Sequence, residues 1–155
     1  MADVSVPSLD AVGATLCVRE SPHPPYSRLN TGSFSRWLPV VVYAVAIFLV
    51  SSMTQAPLPP GVSDKTGHSA AYAGFGVVVL RALARGTLTG VTAGTGLSAL
   101  AIATAYGASD ELHQRYVPGR TADLQDLRAD ATGAAGGIAI AWLVAVLVRV
   151  RKSRI

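Results

Sequence analysis

The stretch WLPVVVYAVAIFLVSSM, residues 37–53, contains no charged side chain. Its length matches the ~17 to 25 residues that a helix needs to cross a bilayer. Working outward, residues 1–36 carry Pro7, Pro22, Pro24 and Pro25 among many serines and show no helical or strand periodicity, so they are expected to form a disordered tail. His23, inside SPHPP, reads as an idle solvated side chain, and Cys17 is the only cysteine, so no internal disulfide and no cysteine-based zinc site is possible. A positively charged region of this length is too long for a signal peptide, so the apolar segment is expected to stay in the protein. On the other side, Pro57, Pro59, Pro60 and Gly61 end the helix and turn the chain back.

Composition supports the same class. Of the 155 residues 50% are hydrophobic and 14% charged, against about a quarter charged in soluble domains. Three further spans follow: 66–83, with Arg81 reaching to the membrane edge, 87–108, and 129–148. The expected fold is an all-α integral membrane bundle of four transmembrane helices. The expected division is a tail over 1–36, a membrane domain over 37–149 and a basic tail over 150–155. Gly90 with Gly94, and Gly133 with Gly137, place small residues at spacing four, which lets helices approach closely in lipid.

The net charge of +4 does not indicate a nucleic-acid binder, because basic residues sit at the ends of apolar runs and form no aromatic-interleaved patch. They report topology instead. The N-terminal tail, the second loop and the C-terminal tail hold nine Lys and Arg, while the opposite ends hold four, Lys65, Arg115, Arg120 and Arg128. Both termini are therefore expected to be cytoplasmic in a multi-pass cell-membrane protein. Six of the nine acids fall on the outer side.

Two segments far apart in sequence hold nearly all the polar chemistry outside the tails: DKTGHSAAY at 64–72 and YGASDELHQRYVPGRTADLQDLRAD at 106–130. The topology brings both to the outer face. Asp64, His68 and Tyr72 recur at i, i+4, i+8 on one helical stripe, with Lys65 on the neighbouring i, i+3, i+7 stripe. Gly107, Asp110 and Gln114 share a stripe on the third helix, with Glu111 beside them. Pro118 and Gly119 force a turn before Arg120. Asp123, Asp126 and Asp130 then recur at i, i+3, i+7, with Gly133 three residues further on. Charges on a helix-packing face must pair or line a wet cavity.

Three chemical readings are open. In the first, Lys65, Arg115, Arg120 and Arg128 neutralise most of the acids in interfacial ion pairs. In the second, the second, third and fourth helices enclose a polar pocket built from Asp64, Lys65, His68, Glu111, Gln114, Arg120 and Asp126, the first helix serving only for packing. In the third, His68 acts as a general base or, with Asp64, Glu111, His113 or Asp126, as a metal ligand. No HExxH-type motif is present, so no metal site is assigned. No serine or cysteine nucleophile stands in a recognisable setting, so the sequence does not decide whether the protein is an enzyme.

The pattern DKxxHxxxYxxxG followed some 30 residues later by YGxxDExxQxxVPGRxxDxxDxxxDxxG resembles the VanZ-like family of bacterial membrane proteins, over about residues 37–148. The resemblance implies a role at the cell envelope, since the family's founding member is associated with resistance to the glycopeptide teicoplanin. It implies that Asp64, Lys65, His68 and Tyr72, together with Asp110, Glu111, Gln114, Arg120, Asp123 and Asp126, form a ligand-binding set. The implied ligand is a membrane lipid or cell-wall precursor, with an esterase- or phosphate-directed hydrolase or transferase, or a non-catalytic scaffold subunit, as alternatives. No cofactor is indicated. One position departs from the pattern: Asp130 stands where the family carries Asn.

Overall fold

The computed structural model describes residues 31–55 and 58–154. Of the expected tail over 1–36, residues 1–30, with His23 and Cys17, lie outside the described residues. Among those described there are four helices and no strand: α1 (Thr31–Ser51), α2 (Asp64–Leu83), α3 (Ala93–Gln114) and α4 (Leu124–Lys152). Two are long and apolar enough to cross a membrane, Ser33–Ser51 within α1 and Leu124–Lys152. Both leave large apolar side chains outside the bundle, among them Phe34, Val41, Val42 and Leu49 on α1, and Ile140, Leu143, Val144 and Leu147 on α4. An exposed apolar surface of this extent needs an apolar neighbour.

The starts of α2, α3 and α4 each have a local cause. The Ser63 side chain accepts the Thr66 amide ahead of α2, and Asp64 in the first turn complements the helix dipole. Asp123 accepts the Gln125 amide ahead of α4. Between α2 and α3 the sequence reading set the boundary too early. The helix expected from residue 87 begins at Ala93, because Thr92 and Thr95 form a reciprocal capping box and Gly86 (φ 69°) turns the chain after α2. It also runs past residue 108 to Gln114, so Asp110 and Glu111 are helical. Likewise α1 starts at Thr31, ahead of the expected start at Trp37.

The helices alternate in direction. α1 and α3 run the same way, since Tyr106 meets Ala44 while Asp110 meets Ser51. α2 and α4 also run parallel to each other, with His68 against Asp130 and Ala73 against Gly137. The ends 51–55, 64–72 and 106–130 therefore gather at one end of the bundle, as the topology expected. α4 packs chiefly on α2 and then on α3, while α1 rests mainly on α2.

The α2–α4 contact depends on side-chain absence. A Cβ on Gly133 would strike the Ser69 backbone carbonyl, one on Gly137 would strike that of Ala73, and one on Gly76 would lie 3.0 Å from the Ala134 carbonyl. The other glycine pair differs from its expected role: Gly90 sits in the loop against Ala84, and a Cβ on Gly94 would meet only the Thr92 hydroxyl, at 3.8 Å. Their spacing is not used for helix packing.

Gly133→Val should lower stability by about 1–3 kcal/mol or more, because its backbone neighbour has little room to yield. Gly136→Ala, on a position where a Cβ meets nothing within 4 Å, should be neutral or stabilising by up to about 1 kcal/mol. Thermal unfolding of the two variants in detergent checks the contrast.

Candidate functional site

Helix periodicity and the α2–α4 seam build the site in two layers. The outer layer is ion-paired. Lys65 Nζ lies 2.9 Å from both Asp123 Oδ2 and Asp126 Oδ1, joining the first turn of α2 to the start of α4. Arg120 Nη1 lies 3.2 Å from Asp64 Oδ2, and its Nε donates to the Met53 carbonyl at 3.2 Å. Arg115 and Arg128 are exposed and make no ion pair among the described residues. Interfacial pairing thus accounts for two of the four expected cations.

The hydrogen bond from Lys65 holds the Asp123 carboxyl below its usual range, with the Gln125 amide contributing; the same contact, with that to Asp126, raises Lys65. Both groups precede the apolar part of their helices.

The inner layer is buried and far less compensated. His68 Nδ1 is 2.9 Å from Asp130 Oδ1, and its Nε2 is 3.9 Å from Asp64 Oδ2. A proton on Nδ1 is donated to Asp130 and leaves Nε2 for another partner. Asp130 is fully buried. Glu111 Oε2 accepts the Asp123 amide at 2.9 Å, while Asp110 Oδ2 accepts from Ser51 Oγ at 2.6 Å and from Gln114 Nε2 at 3.3 Å. Among the described residues four buried polar side-chain atoms have no partner: Tyr72 Oη, Asp110 Oδ1, Glu111 Oε1 and Asp130 Oδ2. Each unmet group of this kind costs about 1–3 kcal/mol.

Beside this layer lies a cavity of about 290 Å³. Asp64, His68, Tyr72, Asp110, Gln114 and Arg120 line it, and so do Tyr43, Ala46, Ile47, Val50 and Ser51 of α1. α1 is therefore a cavity wall, where the sequence reading gave it packing alone.

The ten residues expected as a ligand-binding set all fall at this end of the bundle, in different roles. Asp64, His68, Tyr72, Asp110, Gln114 and Arg120 face the cavity; Glu111 is in the buried cluster; Lys65, Asp123 and Asp126 form the outer ion pairs. His113, considered as a metal ligand with His68, is turned away: its Nε2 is 3.0 Å from Ser52 Oγ and its ring packs at 4.5 Å on Phe48. Two participants were missing. Asp130 was marked only as a departure, although its stripe with Asp123 and Asp126 placed it on the right face. Ser51 carries no sequence signal, because it reaches Asp110 only through tertiary packing.

Among the described residues two groups of three are spaced to hold a metal ion, Asp64–His68–Asp126 and His68–Glu111–Asp130, each with its ligand atoms within 4.8 Å of one another.

Because Asp123 ionises more readily in the folded chain, its contribution to stability is full above its unfolded value, near pH ~4. It fades as pH falls through the lower folded value. Asp123→Asn keeps the helix cap and removes the ion pair, so the variant should show a smaller loss of thermal stability than the parent on going from pH 7 to strongly acidic buffer. Melting curves at the two pH values measure this.

Comparison with curated proteins and with solved structures gave no match. The VanZ/LLP1 family model matches residues 16–146, which takes in α1, α2 and α3, α4 as far as residue 146, and both polar segments. Together with two helices of spanning length this supports a membrane protein. The chain belongs to the VanZ/LLP1 family.

Proposed function

We propose that the chain is a multi-pass cell-envelope protein whose cavity holds the charged headgroup of an amphiphile, either a membrane lipid or a lipid-linked cell-wall precursor. The observation that carries this reading is the mixed lining of the cavity. Its α1 wall is mostly apolar (Tyr43, Ala46, Ile47, Val50), and the facing wall presents Arg120, Asp64, His68 and Gln114. A molecule with a polar head on an apolar stem satisfies both walls. Arg120 makes its two hydrogen bonds through Nε and Nη1, which leaves Nη2 to a phosphate or carboxylate oxygen.

Four crossings fit the same reading. α2 and α3 have 20 and 22 residues, or about 30 Å each at 1.5 Å per residue, the thickness of a bilayer core. Between Lys65 and Arg81, and between Arg85 and Asp110, no Asp, Glu, Lys or Arg occurs. The bias of basic residues toward the other end of the bundle supports an orientation with the cavity outside and both termini in the cytoplasm. Sequestering an envelope component there would alter sensitivity to glycopeptides such as teicoplanin.

The full chain purified in mild detergent should carry co-purified lipid enriched in one anionic headgroup class, detected by mass spectrometry. Arg120→Gln removes a hydrogen bond to a charged group, worth about 1.5–3 kcal/mol, so retention should fall about tenfold to a hundredfold. A lipid profile identical to bulk membrane, or unchanged in the variant, would overturn the proposal.

A further inference from the structure

We propose that His68, Glu111 and Asp130 form a binding site for a divalent transition-metal cation of the zinc or manganese type. The ligand atoms offered by the three side chains lie within 4.8 Å of one another. The second line of support is independent of their clustering. Asp130 is 0% exposed and Glu111 7% exposed, and each keeps one carboxylate oxygen, Oδ2 and Oε1, with no hydrogen-bond partner. Two buried carboxylates with unfilled acceptor oxygens require a cation or a proton close by.

Among the described residues no fixed cation supplies that charge. Lys65 is committed to Asp123 and Asp126, Arg120 to Asp64, and Arg115 and Arg128 are exposed. Only the His68 imidazole is near, and it contacts the other oxygen of Asp130, Oδ1. α3 is shaped to admit the unmet oxygen: a Cβ on Gly107 would lie 2.9 Å from Asp130 Oδ2, and Glu111 stands one turn further along the same face as Gly107.

The donor set selects the ion. One imidazole nitrogen with two carboxylates suits zinc or manganese, whereas magnesium prefers oxygen and retained water. Ligand distances of about 2.0–2.2 Å set donor atoms roughly 3.3 Å apart, so donors now up to 4.8 Å apart must close by up to about 1.5 Å, and each carboxylate has one oxygen that can do so without giving up a hydrogen bond. The second group of three, Asp64, His68 and Asp126, is the poorer candidate. Arg120 and Lys65 already hold its two carboxylates, and their charges oppose a further cation.

Asp130, 0% exposed, puts an anionic ligand at the deepest point of the cluster. The inference goes beyond headgroup binding and does not rest on it, since metal affinity is measured without lipid.

The test uses the full chain in detergent, stripped with chelator, then dialysed against zinc chloride or manganese chloride and assayed by elemental analysis. One equivalent per chain should be retained with magnesium chloride in excess. Asp130→Asn and Glu111→Gln should each weaken retention by about tenfold or more at unchanged helix content. Asp130→Asn keeps the side-chain shape, so it decides the matter if Glu111→Gln fails to fold. Substoichiometric metal in the parent chain, or undiminished affinity in Asp130→Asn, would overturn the assignment.

Discussion

The close approach of α2 and α4 is the constraint on which the chemistry depends. Gly133 and Gly137 let the backbones of Ser69 and Ala73 come against α4, and the same approach sets His68 against Asp130 one turn away. On the opposite side Gly107 opens α3 to the second oxygen of that carboxylate. Asp130 is thus enclosed by two glycine-thinned helices and one imidazole. Wider helix spacing would admit water, and the carboxylate would be an ordinary solvated acid. Packing by small residues, not charge, determines how deep the ionisable groups lie.

That depth separates the two polar layers energetically. The outer pairs of Lys65 with Asp123 and of Arg120 with Asp64 have a partner roughly 40% exposed or more, and solvent screening leaves contacts of this kind little net stabilisation. The inner layer leaves Tyr72, Asp110, Glu111 and Asp130 each with an unmet atom. The outer pairs do not offset a burden of that size. Unmet buried acceptors concentrated in one place, beside a cavity, are where a fold gives up stability to keep groups available for a ligand.

Much of this was legible from residue order. The uncharged run after Trp37 located α1, and the i, i+3, i+7 recurrence of Asp123, Asp126 and Asp130 located the polar face of α4. The start of α3 was not legible, because Thr87 to Thr92 carry no charge that separates loop from helix; the side-chain bonds between Thr92 and Thr95 make the difference. Gly90 with Gly94 and Gly133 with Gly137 have identical spacing, yet only the second pair meets another helix. Spacing encodes a small face and not its partner. Ser51 is out of reach of sequence reasoning for the same reason.

The loose seating of α1 bears on how the cavity is reached. Of the apolar window of this helix 11% is buried, and its polar anchors beside the cavity are Tyr43 Oη to the Ala71 carbonyl, Tyr106 Oη to the Ala44 carbonyl, and Ser51 to Asp110. Hydrogen bonds of this sort are worth about 0.5–1.5 kcal/mol each. By contrast the α2–α4 seam interlocks over several turns. In a bilayer, displacing α1 exposes apolar surface to apolar chains and so adds little further cost. For a molecule carried in the lipid, the path of least resistance into the chamber is therefore sideways past this helix, with no need to cross the charged rim above.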